Sequence, residues 1–146
     1  MNYSLNQVIG KLETIQQSHK ILKGFKFCDV SDLEAVNDLS YPLLWCDVLP
    51  SNFNTKVVTL NLQISVLDIV AKDLSNEKDV LSDCLQLLND VVSELRNPLN
   101  GDDFIINDSI TATPIKDSYQ DEVAGWNCQI SLDIMNPYNR CEIPSN

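Results

Sequence analysis

The sequence predicts an α+β fold, an antiparallel sheet of about five strands with two helices on one face, in the order α-β-β-β-α-β-β. Three observations carry this prediction. Val58, Leu60, Leu62, Ile64 and Val66 are apolar at every second position, with Thr59, Asn61, Gln63 and Ser65 between them. That alternation is a strand with one face on a core and the other in water. From Val80 the apolar set becomes Leu81, Cys84, Leu85, Leu87, Leu88, Val91, Val92 and Leu95, the spacing of an amphipathic helix. Trp126, Cys128, Ile130, Leu132 and Ile134 alternate without a miss and make the last strand.

The remaining elements follow in order. Ser4 with Gln7 is a capping-box pattern, and Leu5, Val8, Ile9, Leu12 and Ile15 supply the stripe of a first helix. Gly24 suits the exit of that helix. Phe25 to Val30 alternates as a short strand, and Ser31 to Leu39 is acidic with a helical turn. Tyr41-Pro42-Leu43-Leu44-Trp45 reads as extended, since proline disfavours the helical region for the residue before it. Pro50 to Asn54 reads as a loop, and Asp73 to Glu77 separates the long strand from the second helix. Asn97-Pro98 stops that helix and Asn100-Gly101 makes a turn. Phe104, Ile106, Ile110 and Ala112 form a strand broken around Asp108, and Ile115 to Asp121 is a polar loop or hairpin tip. One domain therefore covers residues 1–136, with an extended C-terminal tail over 137–146, where the period is lost.

Composition narrows the function classes. A hydrophobic fraction of 44% in 146 residues supports a core, so global disorder is excluded. A net charge of −11 argues against a nucleic-acid reader, which needs clustered Lys and Arg. Five of the ten basic residues, Lys11, Lys20, Lys23, Lys26 and Lys56, sit toward the start, a mild asymmetry and not a patch. The N-terminus carries no signal-peptide pattern and no window is long and apolar enough for a membrane span, so intracellular synthesis is expected. Cys28, Cys46, Cys84, Cys128 and Cys141 are widely spaced among apolar neighbours and read as reduced core residues.

Catalytic chemistry is sparse. His19 is the only histidine, so any nucleophile–His–acid arrangement would have to form around it. No C-x-x-C pair calls for zinc, and four glycines cannot make a phosphate loop, so no metal and no cofactor is expected. Acids cluster at Asp29, Asp32, Glu34 and Asp38, at Asp102 and Asp103, and at Asp121 and Glu122, without a Ca²⁺-loop spacing. One charge feature has geometry behind it. Asp79, Asp83, Gln86, Asp90 and Glu94 fall in one narrow stripe of the second helix, expected opposite its apolar face. Asp79/Asp83 and Asp90/Glu94 are like-charge pairs four apart with no lysine in the stripe. Such a stripe is either a solvated face or a surface turned to a basic partner or to a channel that repels negative charge.

Several local sequences, taken with the order of elements, resemble a known family. They are Lys20-Ile21-Leu22 at the end of the first helix, Gly24-Phe25-Lys26-Phe27, Tyr41-Pro42-Leu43-Leu44-Trp45, the long strand into Asp68-Ile69-Val70-Ala71, and Gly125-Trp126 opening the last strand. The pattern is similar to the tail-terminator or tail-completion proteins of tailed phages and to related head–tail neck ring proteins, and it spans nearly the whole chain. The resemblance implies a non-enzymatic structural protein of the virion, made in the host cytoplasm. It would form a homo-oligomeric ring, hexameric or dodecameric, against portal, neck or tail-tube proteins. DNA would pass through without sequence recognition, and no membrane would be involved. An acidic lumen would keep phosphate from sticking, which places Asp79, Asp83, Asp90 and Glu94 as candidate channel- or partner-facing residues. The tail and the loop Lys116–Val123 would reach adjacent subunits. Two other readings stay open: a small acidic intracellular adaptor binding a basic protein partner, and a hydrolase holding a divalent metal among the acids of Asp29–Asp38.

Overall fold

The alternating segment of the sequence becomes the spine of the sheet. The computed structural model describes residues 4–29, 39–97, 104–118 and 123–135. Over these the chain runs α1 (Leu5–Ser18), β1 (Gly24–Phe27), β2 (Leu43–Phe53), β3 (Val57–Ile69), α2 (Glu77–Leu95), β4 (Ile105–Ile106), β5 (Ala112–Ser118) and β6 (Val123–Met135). The fold is α+β, with a six-stranded sheet in the order β1-β2-β3-β6-β4 and β5 also paired to β6. β3 and β6 run antiparallel along their full length, from Val57 opposite Met135 to Ile69 opposite Val123.

Pairing in that register puts like faces together, so the inward residues of both strands make one apolar surface. Leu62, Ile64 and Val66 of β3 lie with Cys128, Ile130 and Leu132 of β6 under Val8, Leu12 and Ile15 of α1 and Cys84, Leu88 and Val91 of α2. Both helices cover this one face. Each fully buried aliphatic side chain contributes roughly 1.5–3 kcal/mol of transfer free energy. The start of α1 is fixed by its capping box: the Gln7 N–H donates to Ser4 Oγ at 3.3 Å, and the Ser4 N–H donates to Gln7 Oε1 at 2.7 Å. On the opposite face a smaller cluster gathers Leu43, Trp45, Leu67 and Val123. There the Trp45 indole N–H donates to the Cys28 carbonyl at 2.8 Å. Ser65, on the same face of β3, is fully buried, and its hydroxyl has no hydrogen-bond partner among the described residues.

Several expectations are corrected. The sheet is mixed, because β1 pairs with β2 in parallel, Gly24 to Leu43 through Phe27 to Cys46. Residues 28–42 between them are long enough to return the chain to the same end of the sheet, as a parallel neighbour requires. Pro50 to Phe53 belongs to β2 and is not a loop. The register shifts between Leu49 and Asn52, and at such a bulge the missing N–H of Pro50 breaks no ladder bond. The strand expected from Phe104 to Ala112, with its break around Asp108, is resolved into two strands, of which only Ile105–Ile106 and Ala112 fall in the expected range. Asn107 between them completes the pairing with its side chain, its Oδ1 accepting from the Ser131 N–H at 2.9 Å. The polar stretch after Ile115 continues β5 as far as Ser118, since β6 offers it a partner edge.

Gly24 has a different reason from the one expected. α1 already ends at Ser18, where the N–H of His19 bonds the Ile15 and Gln16 carbonyls. Gly24 opens β1, and any Cβ there would run into the Ser40 carbonyl oxygen. The acidic residues Asp32, Glu34, Asp38, Asp102, Asp103, Asp121 and Glu122 and the tail 137–146 lie outside the described residues.

Candidate functional site

The acidic stripe does not stand opposite the apolar face of α2. The buried side chains Val80, Cys84, Leu87, Leu88, Val91, Val92 and Leu95 define the inward arc. At 100° per residue the stripe lies only about 120° round from the centre of that arc. It is a flank, and it is the flank beside α1. The outward position is taken by Ser82, Asn89 and Ser93, which are exposed and uncharged.

The flank divides into two halves. In the C-terminal half, Asp90 Oδ2 accepts a hydrogen bond from His19 Nε2 at 2.9 Å. Glu94 shares a cleft with Lys11, Thr14, Ser18 and His19. These acids face α1 in the same chain. The other ring nitrogen, Nδ1, accepts from the Ile21 N–H at 3.1 Å and lies 3.5 Å from the Leu22 N–H. The network therefore assigns the proton to Nε2. With Nδ1 held by backbone donors and Nε2 by Asp90, the imidazole has no nitrogen left to activate the neighbouring Ser18. In this arrangement the dyad clamps the exit of α1 to α2.

In the N-terminal half, Asp79 and Asp83 are exposed and make no ion pair among the described residues. Asp83 lies near Asp68, at the end of β3. Partial burial, with a further push from the Asp83 charge, raises the Asp68 carboxyl above the usual carboxylate range, while the Ile69 N–H at 2.8 Å pulls the other way. Asp68 was legible: it occupies the next inward position after Leu62, Ile64 and Val66, where the alternation calls for an apolar residue. Burial also pushes the Cys46 and Cys84 thiols up to about 12 and Cys128 to about 11, so these are inert core groups. Among the described residues no three His, Cys, Asp or Glu side chains converge as a metal site. Asp29 is exposed. No helix among the described residues is long and apolar enough to cross a membrane.

A different surface emerges from exposed apolar groups and protected strand edges. β2 and β3 form a long hairpin of the sheet, and its arm is the part of β2 beyond the cover of β1, in which Phe53 is 80% exposed and Val48 43%. β1 covers the outer edge of β2 only as far as Cys46, and beyond it the main chain is blunted. The Val48 N–H is taken by Asp47 Oδ1 at 2.8 Å, Pro50 has no N–H, and its carbonyl accepts from Asn61 Nδ2 at 2.8 Å. Pro114 sits within β5 on the other side of the sheet. Such devices discourage open-ended strand addition.

On the far flank of α2, Leu85, Leu88 and Val92 face Ile110, Ala112 and Cys128 across a groove of about 250 Å³. Arg96 closes one end, donating to the Asn107 and Asp108 carbonyls at 2.8 and 2.7 Å. Sequence reasoning missed both surfaces. Phe53 was hidden in a segment read as loop, and the groove joins stretches distant in sequence. Comparison with models of known protein families and with curated proteins finds no match for this chain.

Proposed function

We propose that this protein is a non-enzymatic structural component of a tailed-phage particle, forming a homo-oligomeric ring at the head–tail neck or tail terminus around the DNA path. The observation that carries this reading is the β2–β3 arm, which holds Phe53 out in solvent, with the exposed Val48 farther along the same face, while the main-chain edge of the arm is blunted. A large aromatic on an arm with protected edges fits specific side-chain contact with another subunit. The α+β order, with both helices on one face, agrees with the architecture that the sequence resemblance implies.

Because each copy carries a charge of −11, a ring held by apolar contacts strengthens as salt screens the repulsion between copies. Native mass spectrometry and light scattering across a salt series are expected to show a discrete ring, and imaging of labelled virions is expected to place it at the neck or tail end. Absence of the protein from purified particles overturns the proposal. Asp79 and Asp83, exposed and without an ion pair among the described residues, favour a second reading, an acidic adaptor for a basic protein. That reading requires a hetero-complex whose affinity collapses with salt, the opposite trend.

A further inference from the structure

We infer that neighbouring copies associate head to tail, with Phe53 on the arm of one copy seated in the groove between α2 and the Asp108–Ala112 segment of the next; the inference rests on the ring reading above.

Position within the sheet makes this contact feasible. Phe53 lies opposite Val58 in β3, which in turn lies opposite Ile134 in β6. Phe53 therefore points to the same face as Leu62 and Ile64, the face that carries the helices. The groove opens on that face too, beside the stretch from Ile106 opposite Leu132 to Ala112 opposite Cys128. Arm and groove thus occupy the same face on opposite flanks of the β3–β6 pair, the arm near one end of it and the groove near its middle. A chain cannot bring its own arm to its own groove across that pair. A neighbour placed beside it by rotation can, and two different patches meeting in this way build a ring when the rotation closes.

Size and charge agree. An apolar cavity of about 150 Å³ is enough to hold benzene, and the groove of about 250 Å³ has room for a phenyl ring. Leu85 on its wall is 43% exposed, an apolar surface that Phe53 would cover. Lys56 is the cation at the arm tip and is exposed. Asp108 is exposed on the groove rim, while the Arg96 guanidinium beside it is turned onto two backbone carbonyls. Lys56 of one copy and Asp108 of the next are complementary charges at the edge of the apolar contact.

The experiment uses Phe53→Lys and Leu85→Lys, both at exposed positions, with circular dichroism to verify that each variant folds. Each is expected to lose assembly by more than tenfold in dissociation constant and to run as a monomer in native mass spectrometry. Phe53→Lys keeps its groove and Leu85→Lys keeps its arm, so an equal mixture is expected to form a dimer of one copy of each and nothing larger. Lys56→Glu is expected to weaken the ring at low salt, and adding Asp108→Lys in the same chain to restore it. Rings that persist in both single variants, or a mixture that stays monomeric, overturn this contact and leave the ring reading standing. A wild-type chain that is monomeric and missing from virions overturns both.

Discussion

His19 Nε2 donates to Asp90 Oδ2 at 2.9 Å across 71 residues of sequence, and this bond ties the exit of α1 to the middle of α2. The two acids that look alike in the sequence stripe, Asp83 and Asp90, therefore behave differently. Asp90→Ala is expected to cost about 1 kcal/mol, the value of a partly exposed, charge-assisted hydrogen bond. Asp83→Asn relieves like-charge repulsion with Asp79 and is expected to be neutral or to stabilise by roughly 0.2–0.5 kcal/mol. Denaturant melts of the two variants separate them. A His19→Ala, Asp90→Ala double-mutant cycle with no coupling energy would show that the clamp contributes nothing.

The core assignment gives a larger effect. Leu88 in α2 is 3% exposed and Ile64 in β3 is fully buried. Each substitution to alanine removes apolar contact and leaves a cavity, so Leu88→Ala and Ile64→Ala are expected to cost roughly 2–5 kcal/mol apiece. Losses under about 1 kcal/mol at both positions, measured in urea on the dissociated chain, contradict this packing.

Ser65 offers the opposite sign. Its hydroxyl is buried beneath the second apolar cluster without a hydrogen-bond partner among the described residues. An unsatisfied buried hydroxyl carries its desolvation penalty into the folded state. Ser65→Ala is expected to stabilise the protein by about 1 kcal/mol. Thermal melts read this directly, and a drop in melting temperature would mean that the hydroxyl finds a partner.

Asp68 makes stability depend on pH in an unusual direction for a carboxylate. Its folded-state carboxyl is raised, by partial burial first and by the Asp83 charge second. The folded state therefore holds this proton more tightly than the unfolded chain does. Stability associated with Asp68 is present below the ordinary carboxylate range and is lost as pH rises through the raised folded-state value. Asp68→Asn is expected to raise the melting temperature at pH 7, with its amide oxygen still able to accept from the Ile69 N–H. The gain is expected to vanish on acidification below the ordinary carboxylate range. A gain of equal size at acid pH would point to packing and not to charge.

Much of the architecture was legible locally. The alternations that became β3 and β6, the stripe that became α2, and the Ser4–Gln7 box all record whether neighbouring side chains meet core or water. That partition is written in residue type at short range. The inward position of Asp68 was readable for the same reason. Pro50 and the polar end of β5 misled because proline and polar residues mark loops on average, whereas a bulge accommodates the first and an available partner edge recruits the second.

The sequence by itself determined the long strands, the helices, their apolar faces and the cap of α1, because periodic burial is a local property of the chain. Only the tertiary structure decided the parallel direction of β1, the flank of α2 on which the acids lie, the pairing of His19 with Asp90, and the meeting of Leu85 with Ile110 across one groove. Each of these depends on residues far apart in sequence being brought together, and the alternation of a strand or the stripe of a helix carries no record of which neighbour, or which direction, completes it.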